Sequence, residues 1–157
     1  MKKYDVIIVG AGPAGLRCAY VLAKSDLSVL LLEKNAKMGQ KVCAGGITRK
    51  DLSILDLPDE IFGHKVSKTG VHSPNRSSSA NAPQPFVFKL SRQDLGEWQR
   101  KQLDNTDVEV LTNSKVTEIN ENYITVNRKD KYAYRTLVGA DGVSSIVRRY
   151  LKIPTEK

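Results

Sequence analysis

The stretch Gly10-Ala11-Gly12-Pro13-Ala14-Gly15 constrains the fold more than any other part of the chain, because of what flanks it. Before it stands Tyr4-Asp5-Val6-Ile7-Ile8-Val9, an apolar and β-branched run that reads as a buried parallel strand. After it, Leu16 to Lys24 reads as a helix, and a second apolar run from Val29 to Leu32 ends in Glu33. Glycines alone are a weak signal, but strand, glycine turn, helix, strand and terminal acid together are a strong one. Gly10 permits the tight turn, Gly12 lets backbone approach a pyrophosphate, and Gly15 lets helix and strand pack closely. The helix N-terminus then offers N–H groups and the positive end of a dipole to phosphates. Glu33 follows at the distance, about 20 residues, where a carboxylate accepts hydrogen bonds from an adenosine ribose.

A length of 157 residues suits one domain with a sizeable core. No apolar run approaches the roughly 18 residues that a membrane span requires. The N-terminal apolar run is short and carries Asp5, unlike a signal peptide, so a cytoplasmic location is the default expectation. The net charge of +8, from 25 basic and 17 acidic residues, suits an anionic ligand or an anionic membrane surface. The basic residues come as scattered pairs such as Arg100-Lys101 and Arg148-Arg149, and no nucleic-acid motif accompanies them, so no nucleic acid is expected as a partner. Cys18 and Cys43 form neither a redox nor a zinc spacing, and no metal is expected. Cys18 falls within the first helix and reads as a small core residue, and His64 and His72 as ordinary surface or loop residues.

Further along, Thr48 is placed to cap a short helix through Leu55, and residues 65–72 look extended. The proline- and serine-rich segment Ser73 to Pro85 reads as a mobile loop, and Pro85 to Leu90 as a strand. Ser91 with Asp94 resembles a capping box for a helix running to about Asn105, with Leu95, Trp98 and Leu103 on its apolar face. Val108 to Leu111 is a short strand. Lys115–Asn120, Tyr123–Asn127 and Lys131–Leu137 read as an antiparallel meander, and a last helix spans about Ser144 to Leu151.

Four segments together resemble the FAD-dependent geranylgeranyl reductases, within the wider flavoprotein group typified by para-hydroxybenzoate hydroxylase. They are Gly10–Gly15 with Glu33; Gly39-Gln40-Lys41-Val42-Cys43-Ala44-Gly45-Gly46, similar to that family's Cys-x-Gly-Gly loop; Ser91–Trp98, similar to its arginine segment before a helix; and Leu137–Arg148, which carries the Asp-Gly motif of the wider group. The resemblance implies an α/β fold, a Rossmann-like FAD/NAD(P)-binding βαβ domain with an antiparallel β-meander insertion. Residues 1–157 then read as the truncated front portion of such an enzyme, its substrate domain absent. The implied cofactor-binding residues are Gly10, Gly12, Pro13, Ala14, Gly15, Glu33, Lys34, Cys43, Ala44, Gly45, Arg92, Asp141 and Gly142. Arg92 would offer its planar fork to phosphate or sugar oxygens, and Asp141 would lie near the phosphate–sugar region of the flavin nucleotide. Cys43 would pass beside the flavin ring as a catalytic candidate.

Read from the residues alone, Asp141 also suits a turn acid or helix cap, Arg92 a surface arginine at a helix start, and Cys43 a buried structural thiol. The implied chemistry is reduction of isoprenoid carbon–carbon double bonds by a flavin-dependent oxidoreductase. NAD(P)H as electron donor, a prenyl-lipid substrate at a membrane surface and a separate C-terminal chain belong to the same expectation. With six tyrosines, three phenylalanines and one tryptophan spread over the chain, no lipid-sized apolar pocket is evident, and the chain alone is expected to be inactive. The rival readings are the FAD-binding portion of an aromatic-hydroxylase-type monooxygenase, and a non-catalytic nucleotide-binding module or one half of a two-chain enzyme.

Overall fold

The computed structural model describes residues 1–55 and 57–154. In chain order its elements are β1 (Lys2–Val9), α1 (Pro13–Leu22), β2 (Val29–Leu32), β3 (Gly46–Thr48), α2 (Arg49–Leu55), β4 (Phe62–Val66), β5 (Lys68–Ser73), β6 (Arg76–Asn81), β7 (Val87–Leu90), α3 (Arg92–Lys101), β8 (Glu109–Leu111), β9 (Val116–Ile119), β10 (Tyr123–Val126), β11 (Asp130–Gly139) and α4 (Ile146–Tyr150). They fall into two compact units, Met1–Gln40 with Gly96–Lys157, and Lys41–Leu95.

The first unit is built on a six-stranded sheet in the order β8-β2-β1-β11-β10-β9. Its first four strands are mutually parallel, and β10 and β9 continue the sheet antiparallel. The apolar runs of β1 and β2 are explained by burial on both faces. On one face Val6, Ile8, Val29 and Leu31 pack with Leu16 and Ala19 of α1; on the other Ile7, Val9, Leu30 and Leu32 pack with Val116, Ile124, Val126 and Val147. The antiparallel meander lies where the sequence places it. It is an extension of the main sheet, because its last strand, β11, also pairs with β1 over Lys2–Val9.

The second unit holds an antiparallel sheet in the order β3-β7-β4 and a separate hairpin of β5 and β6. Thr48 closes the start of α2, its N–H and hydroxyl both donating to Asp51 Oδ2, at 2.7 and 2.8 Å. Phe62 and Phe88 stack at a tilt with ring centres 5.3 Å apart, and Phe88 and Leu90 are buried.

Three expectations need correction. Ser73–Pro85 is not one irregular loop: β6 occupies Arg76–Asn81 and pairs with β5 from Lys68↔Asn81 to Ser73↔Arg76. Every residue of both strands is exposed, so the hairpin rests on its backbone ladder and lacks the apolar alternation that marks a strand in sequence. The third helix ends at Lys101, short of Asn105, and residues beyond it continue as turns, with Leu103, Asp104 and Thr106 donating N–H groups to Arg100, Lys101 and Leu103 carbonyls. The last helix is confined to Ile146–Tyr150, because Ser145 stands outside it as the cap.

Candidate functional site

The C-terminal ends of β1, β2 and β11 meet at the glycine turn. Gly10 has φ +98, a backbone state that disfavours side chains, and a Cβ there would lie 2.6 Å from the Ala140 carbonyl oxygen. A Cβ on Gly15 would lie 1.9 Å from the Gly10 oxygen. Both glycines are therefore required by packing within the protein. Gly12 differs: its φ of −71 and ψ of 177 suit any residue, and a Cβ there meets nothing within 4 Å. The space over Gly12 is open.

Gly12 is also the N-cap of α1. It brings no side-chain cap, Pro13 occupies the start of the helix, and no acid stands in the first turn. The N–H groups of Ala14 and Gly15 precede the helix's own ladder, and Leu16 N–H bonds to the Gly12 carbonyl at 2.9 Å. No acid in the helix's first turn competes for these donors or for the positive end of the dipole.

Glu33, directly after β2, is buried, and its carboxylate is held from two sides. Ala11 N–H donates to Oε2 and Asn35 N–H to Oε1, each at 2.9 Å. The acid thus ties the glycine turn to the loop after β2, and a ribose would have to use the remaining lone pairs of the same oxygens. Lys34 is exposed beside it.

Asp141 follows β11, with its Cα 2.8 Å from where a Gly10 Cβ would stand. Its carboxylate accepts from Ser145 Oγ and Ile146 N–H, both at 2.6 Å, and Ser145 Oγ accepts from Arg148 N–H at 2.9 Å. Asp141 and Ser145 thus cap α4 as a pair. Gly142, at φ +76 with open space around it, makes the turn between them. The structure accordingly brings Gly10, Gly12, Pro13, Ala14, Gly15, Glu33, Asp141 and Gly142 to one end of the first unit's sheet.

Cys43, Ala44, Gly45 and Arg92 belong to the second unit. Cys43 is exposed, which removes the buried-thiol alternative, and its Sγ accepts from Gly45 N–H at 3.5 Å. Gly45 has φ +69, and a Cβ there would lie 2.1 Å from the Leu90 oxygen, so a glycine is needed for the chain to pass β7. Arg92 opens α3, whose start is capped by Ser91 Oγ accepting from Gln93 and Asp94 N–H at 3.1 and 3.4 Å. The Arg92 Nε is buried and has no hydrogen-bond partner among the described residues.

One polar residue near the turn escaped the sequence reading. Gln99, on α3, is 5% exposed, and its Nε2 donates to the Pro13 carbonyl at 3.3 Å. Its signal in the sequence is a polar residue standing between Leu95 and Leu103 on the helix's apolar stripe.

A parallel sheet with a glycine turn and a terminal acid at its strand ends, continued by an antiparallel meander, is a Rossmann-like α/β arrangement. The chain superposes on p-nitrophenol 4-monooxygenase PnpA from Pseudomonas putida with a TM-score of 0.79 at 20% identity, covering 99% of this chain and 45% of that one. It superposes on a geranylgeranyl bacteriochlorophyll reductase-like protein from Thermoplasma acidophilum with a TM-score of 0.74 at 23% identity, covering 90% and 40%.

In sequence the chain resembles geranylgeranyl reductases over nearly its whole length. It is 30% identical to geranylgeranyl diphosphate reductase of Rhodobacter capsulatus over 164 residues, covering 99% of this chain and 41% of the relative. It is 32% identical to digeranylgeranylglycerophospholipid reductase 1 of Methanococcoides burtonii over 167 residues, covering 98% and 41%. Residues 1–70 also match the Thi4 family. The chain spans about two fifths of the length of these two reductases. Among the described residues, no helix is long and apolar enough to cross a membrane.

Proposed function

We propose that this chain holds the ADP half of FAD on the turn between β1 and α1, as the nucleotide-binding portion of a flavoprotein that reduces isoprenoid carbon–carbon double bonds. One observation carries the nucleotide assignment. Gly10 and Gly15 are glycines because the protein's own backbone crowds them, whereas no described residue crowds Gly12. A glycine at an unconstrained position beside unpaired helix N–H groups is accounted for by a ligand that approaches the backbone closely.

The residues divide the work by chemistry. Ala14 and Gly15 N–H groups donate to the pyrophosphate. Glu33 accepts from ribose hydroxyls, and its charge disfavours a 2′-phosphate. The Arg92 guanidinium, whose Nε has no partner among the described residues, donates to a phosphate or sugar oxygen. Asp141 and Gly142 set the backbone beside the turn. The Cys43-Ala44-Gly45 segment serves the flavin side, with the exposed thiol as the catalytic candidate. Bound FAD supplies a two-electron carrier that passes hydride to an alkene, and a nicotinamide dinucleotide, NAD(P)H, is the proposed source of those electrons.

The names of the two reductases support a prenyl-lipid substrate, and the charge of +8 suits a protein that works from the cytoplasm at an anionic membrane surface. Titration calorimetry with ADP and FAD tests the nucleotide reading. Gly12→Val should fold as the wild type does and lose most of its affinity for both ligands. Wild-type affinity in the folded variant would remove the assignment.

A further inference from the structure

Gln99 sits where the pattern of α3 calls for an apolar side chain. Leu95 and Leu103, one helical step to either side, are both buried. Gly96, on the same stripe, lies so close to the loop after β2 that a Cβ there would stand 2.9 Å from the Met38 Cβ. Within this packed surface Gln99 is 5% exposed. Its orientation is fixed, because the Pro13 carbonyl can only accept and therefore faces Nε2, at 3.3 Å. That leaves Oε1 buried with no donor among the described residues.

A buried acceptor without a donor is costly, and a leucine or methionine would occupy similar space without that cost. The unsatisfied atom belongs to a side chain that grips the first turn of α1, the helix whose N-cap, Gly12, has open space over it. We infer that Gln99 is a further residue of the dinucleotide site: Nε2 positions the Pro13 carbonyl, and Oε1 accepts a hydrogen bond from a hydroxyl group of the bound nucleotide, directly or through a water. An amide oxygen is repelled by phosphate oxygens, so the group it selects is a hydroxyl, of the ribose or of the ribityl chain. The inference rests on the nucleotide reading above and assigns a residue that reading does not use.

The test uses the full chain with Gln99→Met and Gln99→Leu, measuring thermal stability without ligand and affinity for ADP and FAD by calorimetry. Both variants should melt at or above the wild-type temperature, because the unsatisfied acceptor is gone. Both should bind about three- to tenfold more weakly, the loss of one hydrogen bond. An equal loss for ADP and FAD identifies a ribose hydroxyl as the donor, and a loss for FAD alone identifies the ribityl chain. If the wild type binds well and both variants bind equally well, the inference is overturned while the nucleotide reading stands. If both variants melt well below the wild type, Gln99 is a packing residue and the inference is again overturned. If the wild type binds neither ligand, the nucleotide reading itself fails and takes this one with it.

Discussion

Replacing Gly15 by alanine separates packing from binding at the turn. The new Cβ would stand 1.9 Å from the Gly10 oxygen, 3.1 Å from the Gly10 carbonyl carbon and 3.3 Å from the Ala140 Cβ. The nearest obstacle is backbone, and Gly10 has little room to retreat, since its own Cβ position is 2.6 Å from the Ala140 oxygen. Overpacking of this kind costs about 1–3 kcal/mol, and a backbone obstacle places Gly15→Ala at the upper end, about 3 kcal/mol. For a chain of this size that is a fall in Tm of about 6–12 °C. Gly12→Ala provides the control. With ordinary dihedrals and no atom within 4 Å, the methyl group meets no obstacle. A small loss of capping and a small gain from reduced chain entropy offset each other to within about 0.5 kcal/mol, or about 2 °C. Melting curves followed by circular dichroism without ligand read both. A Gly15→Ala protein that melts with the wild type, or a Gly12→Ala protein that falls as far as Gly15→Ala, would refute the division of the glycines into packing and ligand roles.

Other consequences follow from particular groups. Glu33→Gln turns one of two acceptor oxygens into a donor that faces a backbone N–H, so the ligand-free protein should lose about 1–3 kcal/mol of stability and discriminate less against a 2′-phosphate; urea unfolding and calorimetry with 2′-phospho-ADP check both, and unchanged stability would contradict the clamp. Hydrogen bonds from Lys2 and then Tyr4 hold the Glu109 carboxyl below its usual 4.5. A depressed carboxyl contributes stability that is present above the unfolded-state value and is lost as pH falls through the folded one. The stability gap between the wild type and Glu109→Gln should therefore be present at neutral pH and shrink below about 4.5, and a gap independent of pH would contradict the pairing. Cys43 is exposed while Cys18 is half-buried with its thiol pushed up by burial, so a thiol reagent should label Cys43 first, and equal labelling rates would contradict the placement.

The strands that bury apolar surface on both sides were legible in the sequence, and β6, which rests on its backbone ladder alone, was not. Val6 to Val9 and Val29 to Leu32 announce themselves because strands covered on both faces must be continuously apolar. The β6 strand, Arg76-Ser77-Ser78-Ser79-Ala80-Asn81, covers no core, so only its ladder with β5 defines it, and a ladder leaves no mark on residue type. The glycine turn was legible as a motif, and the motif already separates Gly12, for a pyrophosphate, from Gly10 and Gly15, for the turn and its packing. The distances add the physical reason: backbone crowds Gly10 and Gly15, and the space over Gly12 is open. For Asp141 the residues admitted both a cofactor contact and a helix cap, and the bonds to Ser145 and Ile146 show the cap. Gln99 is masked in the sequence by its neighbour Trp98, which is half-buried and suggests an apolar face there, whereas the buried stripe runs from Leu95 through Gln99 to Leu103.

The measurement closest to the central claim is residue-resolved amide hydrogen exchange with and without FAD. The Ala14 and Gly15 N–H groups precede the ladder of α1, so they should exchange fast in the free protein and become protected as FAD saturates. The β5–β6 hairpin amides should be unaffected. Saturable FAD binding that leaves Ala14 and Gly15 exchanging as fast as before would contradict the assignment of the turn between β1 and α1 as the nucleotide site.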